Sequence, residues 1–179
     1  MAVARTYNVD VNSATGITMG STTPGVEFVA MYGAVTAGVE YNISAIRVGT
    51  YSAASASYPS NGTITWRLRK VSGALAPAGG SGGTATAAAI SQSTTTAASS
   101  WYFSTLTNAT ATFATQTGGP LWEQTIPCTA GANWGEWFTP GFEINLGAAG
   151  AGSLALTYEI GGGVTSTNVN LTAGLVISE

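Results

Sequence analysis

A chain of 179 residues is long enough for one domain with a substantial core, and 45% hydrophobic content sets it apart from a disordered acidic tail. Only 7% of it is charged, against about a quarter in an ordinary soluble domain, and 5 cations against 8 anions leave a net charge of −3. That balance excludes nucleic acid as the main partner, because neutralising phosphates needs clustered cations, and no apolar run approaches the length that spans a bilayer.

Period two dominates from the start. Val3, Arg5, Tyr7, Val9 and Val11 alternate with Thr6, Asn8, Asp10 and Asn12, with only Arg5 disturbing its face. This opening lacks the apolar stretch of a secretory signal, so the chain is expected to fold in the cytoplasm where it is made. Thr23-Pro24-Gly25 reads as a turn. Val39, Tyr41, Ile43 and Ala45 then alternate with Glu40, Asn42 and Ser44. Beyond a second turn at Pro59-Ser60-Asn61-Gly62, Ile64, Trp66 and Leu68 alternate with Thr63, Thr65, Arg67 and Arg69. Residues 74–96, with Pro77, the Gly79 to Gly83 run and a Thr/Ala tract, read as one long loop between strands.

After Gly118-Gly119-Pro120 the segment Asn133 to Phe138 reads as turn-rich, and Thr139-Pro140-Gly141 as a turn before a strand with Phe142, Ile144 and Leu146 on one face. Leu154, Leu156, Tyr158 and Ile160 alternate with Ala155, Thr157 and Glu159, up to the turn at Gly161-Gly162-Gly163. The last run is the cleanest: Val169, Leu171, Ala173, Leu175 and Ile177 against Asn168, Asn170, Thr172 and Ser178. No window carries a capped helical stripe. The pattern predicts a single all-β domain over 1–179, an antiparallel β-sandwich that is jelly-roll-like and almost without helix.

Catalytic equipment is sparse. Histidine is absent, which removes the commonest general base and metal ligand. The eight carboxylates (Asp10, Glu27, Glu40, Glu123, Glu136, Glu143, Glu159, Glu179) fall at outward strand positions or in turns, where a solvated face is expected rather than a glycosidase pair. The single cysteine, Cys128, excludes an intrachain disulfide and reads as a buried, inert thiol. Gly79 to Gly83 lacks the lysine and helix of a phosphate loop. No cofactor, no metal and no enzymatic activity are expected.

Two clusters remain as binding candidates. Arg67, Arg69 and Lys70 hold three of the five cations, and Arg67 and Arg69 point the same way on a strand. They form either a solvated face that discourages edge pairing or a docking point for an acidic partner. Trp122, Trp134, Trp137 and Phe138 form the aromatic cluster. They read as packing or a subunit interface, where Trp is enriched, or as stacking platforms for sugar rings on a tail-fibre tip or carbohydrate-binding module. The Asn-x-Ser/Thr triplets at Asn42, Asn61, Asn108 and Asn170 are expected by chance in so Thr-rich a chain.

The features also come in a recognisable order: Ala4-Arg5-Thr6-Tyr7 at the start, an Ile46 to Gly49 strand end, and Trp66-Arg67-Leu68-Arg69 before the Gly80 to Gly83 segment. Glu136-Trp137-Phe138-Thr139-Pro140 and a closing Gly174 to Glu179 strand follow. Over nearly the whole chain this resembles a group of small β-sandwich virion proteins of tailed bacteriophages, encoded near the head genes. The resemblance implies a head-associated structural role, with decoration or cementing of the capsid foremost. It also implies the major capsid protein or other virion proteins as partners. An uncharged surface fits the same expectation of a protein docked on a shell as a homo-oligomer, with a trimer favoured.

Overall fold

Alternating apolar and polar side chains become strands wherever one face can be buried. The computed structural model describes residues 6–10, 17–18, 27–35, 40–51, 62–71, 83–85, 88–89, 100–103, 119–145, 152–161 and 170–179. Among these residues there is no helix, and every strand pairing is antiparallel. The strands are β1 (Thr6–Asp10), β2 (Ile17–Thr18), β3 (Glu27–Val35), β4 (Asn42–Tyr51), β5 (Thr63–Val71), β6 (Gly83–Ala85) and β7 (Ala88–Ala89). They continue with β8 (Ser100–Phe103), β9 (Trp122–Pro127), β10 (Asn133–Trp137), β11 (Ile144–Asn145), β12 (Gly152–Gly161) and β13 (Asn170–Ser178).

The first sheet runs β10-β4-β13-β1-β7, with β11 also on β4 and β2 also on β13; the second runs β6-β8-β3-β12-β5-β9. Their inner faces merge into one core. Val9, Ile46 and Leu175 from the first sheet join Trp66, Leu156 and Tyr158 from the second. The chain is thus the antiparallel sandwich its period-two pattern predicts, with the long strands β4 and β13 in the first sheet and β3, β5 and β12 in the second. Trp66 and Tyr158 meet at the centre with ring centroids 5.7 Å apart, and burial pushes the Tyr158 phenol well above its usual pKa.

Two strands change phase at bulges. The β4–β13 register shifts between Val176 and Ile177, which face Ala45 and Ile43. Tyr41 and Ile43 therefore face the core, and after the shift Ile46 and Val48 do, which turns Arg47 outward. Ala45, expected on the inner face, belongs instead to the outer row with Trp137 and Val176, though it too is fully covered. A second shift between Leu156 and Thr157 sets β12 against β3.

The long loop expected over 74–96 contains β6 and β7, one on each sheet. The small residues of this segment carry no alternation to announce a strand, yet nothing in them prevents short edge pairing. The remainder of 74–96 lies outside the described residues.

One side of the sandwich is bounded by β9 and β10, which form one edge of the second and first sheets respectively. The connection between them is pinned from both sheets. Cys128 N–H donates to the Gly62 carbonyl (2.8 Å) and Thr50 N–H to the Ala132 carbonyl (2.8 Å), while the buried Thr50 hydroxyl donates to the Thr129 carbonyl. Gly131, at φ 75°, supplies the left-handed residue that lets the chain return as β10. The stretch expected to be turn-rich is therefore a strand. Conversely, Phe142 is outside any strand: its N–H closes a turn on the Thr139 carbonyl (2.8 Å), and pairing resumes only at Ile144.

Candidate functional site

Arg67 and Arg69 share the outer face of β5, as their spacing requires, but they form no positive patch. Neighbouring strands set glutamates against them. Arg67 Nε donates to Glu123 of β9 and Arg67 Nη1 to Glu159 of β12, both at 2.6 Å, with Glu27 of β3 at 3.7 Å. Arg69 grips Glu27 with Nε and Nη2 at 2.6 and 2.8 Å. The wholly buried Thr157 hydroxyl donates to the same Glu27 carboxylate. Burial opposes the Arg67 charge, and the hydrogen bonds to Glu159 and Glu123 with the fields of Glu27 and Glu159 outweigh it, so its pKa lies above the ordinary value. Two cations against three anions leave this face slightly negative. Lys70, exposed at the end of β5, has no ion pair among the described residues. A docking point for an acidic partner is not what this strand offers.

The aromatic residues divide by depth. Trp122 and Phe138 are half-buried against the core. Trp122 Nε1 donates to Glu136 Oε2 across 2.7 Å, which ties β9 of one sheet to β10 of the other. Phe138 N–H donates to the Ser44 carbonyl (2.9 Å). Trp134 and Trp137 are exposed, but three residues apart on one strand they face opposite ways. Trp134 lies opposite the inward Val48 and Trp137 opposite the outward Ala45, so the two rings do not form one flat platform. Two further exposed apolar residues belong with them, Leu121 and Phe142, the latter 79% exposed against 67% for Trp137. Sequence reading passed over Leu121 and placed Phe142 on one face of a strand. Each directly follows a stretch rich in proline and glycine, Gly118-Gly119-Pro120 and Thr139-Pro140-Gly141, which is the signal that could have marked them as surface residues.

On the outer face of the first sheet, polar side chains bridge over glycines. Asp10, Gly174 and Arg47 stand in one row across β1, β13 and β4, and Arg47 Nη2 donates to Asp10 Oδ1 at 2.9 Å and to Asn8 Oδ1. A Cβ at Gly174 would overlap Asp10 Oδ1 and lie 3.4 Å from Arg47 Nη2. In the next outward row Gly49 lies between Asn133 and Thr172, and a Cβ there would overlap Asn133 Oδ1 and come within 3.2 Å of Thr172 Oγ1. Between these rows opens a trough of about 460 Å³, edged by Gly135.

Cys128 is buried, and desolvation pushes its thiol up to about 11. No group of three or more metal-ligating side chains occurs among the described residues. Among the described residues no helix is long and apolar enough to cross a membrane. Comparison with known protein families, with curated proteins and with solved structures finds no match to this chain.

Proposed function

We propose that the protein is a structural component of a tailed-phage virion, a decoration or cement protein that binds the outside of the capsid as a homotrimer. One observation carries the assembly part of this reading: all four exposed large apolar side chains among the described residues, Leu121, Trp134, Trp137 and Phe142, come from residues 121–142. That segment forms the edge of each sheet on one side of the sandwich. Tryptophan and other aromatics are the residues that dominate interface energetics. The order of sequence motifs supports the virion setting.

The mechanism is stapling. Each copy covers its aromatic edge against neighbours and shell, in contacts of the order of 1,600 Å² for a standard interface. Repetition over many copies multiplies modest affinities. Charge does not oppose this docking. Among the described cations only Lys70 lacks an internal partner, and hydroxyl- and alanine-rich surface escapes the several kcal/mol that each desolvated ion costs, by the estimate for buried charges.

Sedimentation at micromolar concentration tests it. The wild-type chain is expected to run as a trimer and the Trp137→Ser/Phe142→Ser variant as a folded monomer, since these two side chains are the most exposed of the four. Side-chain-resolution imaging of the intact particle is expected to place the chain outside the capsid. A monomeric wild-type protein with no density on the shell would remove the proposal.

A further inference from the structure

The trough on the outer face of the first sheet is built from side chains that hydrogen-bond each other only in part. Arg47 has five N–H donors. The pair on Nη2 is directed to Asn8 and Asp10, which leaves Nε and Nη1 without a partner among the described residues. Asn133 Nδ2 donates to the Gly131 carbonyl (2.8 Å), and its Oδ1 over Gly49 accepts no hydrogen bond among the described residues. Thr172 Oγ1, on the other side of Gly49, likewise has no hydrogen bond among the described residues. The open groups are thus donors on Arg47, an acceptor on Asn133 and a hydroxyl that does both.

Charge selects among ligands for such a set. Asp10 already neutralises Arg47 at 2.9 Å, so an anion gains little and a cation meets a guanidinium. A peptide would add to the free edge of β10, whereas this trough runs across β10, β4, β13 and β1. A neutral ring carrying several hydroxyls, each donor and acceptor at once, satisfies both kinds of group. The volume, about 460 Å³, lies in the lower part of the range of small-molecule sites. Trp134, partly exposed, is the aromatic residue among those that line the trough.

We infer that this trough is a binding site for a neutral saccharide, with Arg47, Asn133 and Thr172 as its hydrogen-bonding groups. The site rests on the geometry of the first sheet alone and stands or falls apart from the capsid reading.

The test is a titration of the isotope-labelled full chain with the methyl glycosides of glucose, galactose, mannose and N-acetylglucosamine, with sodium sulfate as the anion control. At least one glycoside is expected to move the backbone amide signals of Gly49, Gly135 and Gly174 saturably, while sulfate leaves them in place. Thr172→Val is expected to weaken that response about tenfold, as the loss of one good hydrogen bond does. Gly135→Val, whose Cβ would meet only Arg47 Cγ at 3.8 Å, fills the trough without disturbing the sheet and is expected to abolish it. Phe142→Ala, which belongs to the proposed capsid-facing edge, is expected to leave it unchanged. The inference is overturned if sulfate rather than a glycoside moves the three amides, if none of the probes does, or if Gly135→Val binds as the wild type.

Discussion

Replacing Arg67 by leucine separates a structural role of the basic strand from a merely solvated one. The guanidinium holds three carboxylates, with contacts of 2.6, 2.6 and 3.7 Å. Their worth depends on exposure. Glu123 is 49% exposed, so its pair contributes at most about 1 kcal/mol. Glu159 is 27% exposed, and its charge-assisted bond is worth about 1.5–2 kcal/mol. Glu27, at 15%, keeps both bonds to Arg69 and loses little. The sum is a loss of about 2–3 kcal/mol, equivalent to a fall of roughly 5–10 °C in Tm for a domain of this size. Urea and thermal unfolding measure it, with Glu123→Gln as the comparison at about 0.5 kcal/mol. The double variant Arg67→Leu/Glu159→Leu is expected to recover much of the deficit, because removing both partners leaves no stranded charge between β5 and β12. If Arg67→Leu costs no more than Glu123→Gln, the network contributes nothing beyond surface pairing and the reasoning fails.

Three other outcomes follow from the same geometry. Trp66 Nε1 is buried without a hydrogen-bond partner, so Trp66→Phe removes an unsatisfied donor while losing ring volume; the two effects offset, and the change is expected within about 1 kcal/mol, against roughly 3–5 for Trp66→Ala. Cys128, pushed up to about 11 by desolvation, stays protonated at pH 8; reaction with an aromatic disulfide reagent there is expected about 100-fold slower than in urea and to rise as pH climbs toward that value, whereas equal native and unfolded rates would show an accessible thiol. Gly49→Ala would overlap Asn133 Oδ1 and crowd the Ala132 carbonyl at 2.8 Å, costing about 1–3 kcal/mol in urea unfolding, while Gly135→Ala, on the neighbouring strand with open space, is expected to be neutral or stabilising by about 0.5 kcal/mol.

What the sequence discloses depends on whether a strand has a wet face. β1, β5 and β13 announce themselves because Asn8, Thr65 or Thr172 alternate with buried neighbours. β3 does not. Its run from Phe28 to Val35 has no charged residue to mark a face, and Ala30 and Met31 are both fully buried beside a register shift. β10 misleads in the other direction, since Gly135 and two tryptophans facing opposite ways imitate a turn. Of the alternation expected over Phe142, Ile144 and Leu146, the Thr139 turn consumes Phe142, Ile144 is in β11, and Leu146 lies outside the described residues. The site fares similarly. Spacing alone put Arg67 and Arg69 on one face, but Glu27 and Glu159 reach them from 40 and 92 positions away. The bridge of Asp10 and Arg47 over Gly174 joins three strands of the first sheet that no local pattern connects.

The few charges of this chain are concentrated where they bind strands together. Arg47 and Asp10 clasp β4 to β1 over the glycine of β13, and the Arg67–Arg69 network joins β9, β5, β12 and β3 in register. Even Glu136, on the aromatic edge, is engaged by Trp122. A charge used as a cross-strand clasp is unavailable for keeping molecules apart, because its field is cancelled within a few ångströms. Low charge content and internal pairing therefore act in the same direction. The faces gain rigidity, and the edge formed by β9 and β10 is left with tryptophan, leucine and phenylalanine in contact with solvent. Under the proposed assembly, stability and association therefore rest on different residues of this fold, so substitutions on the outer faces are expected to change unfolding and those on the edge to change assembly.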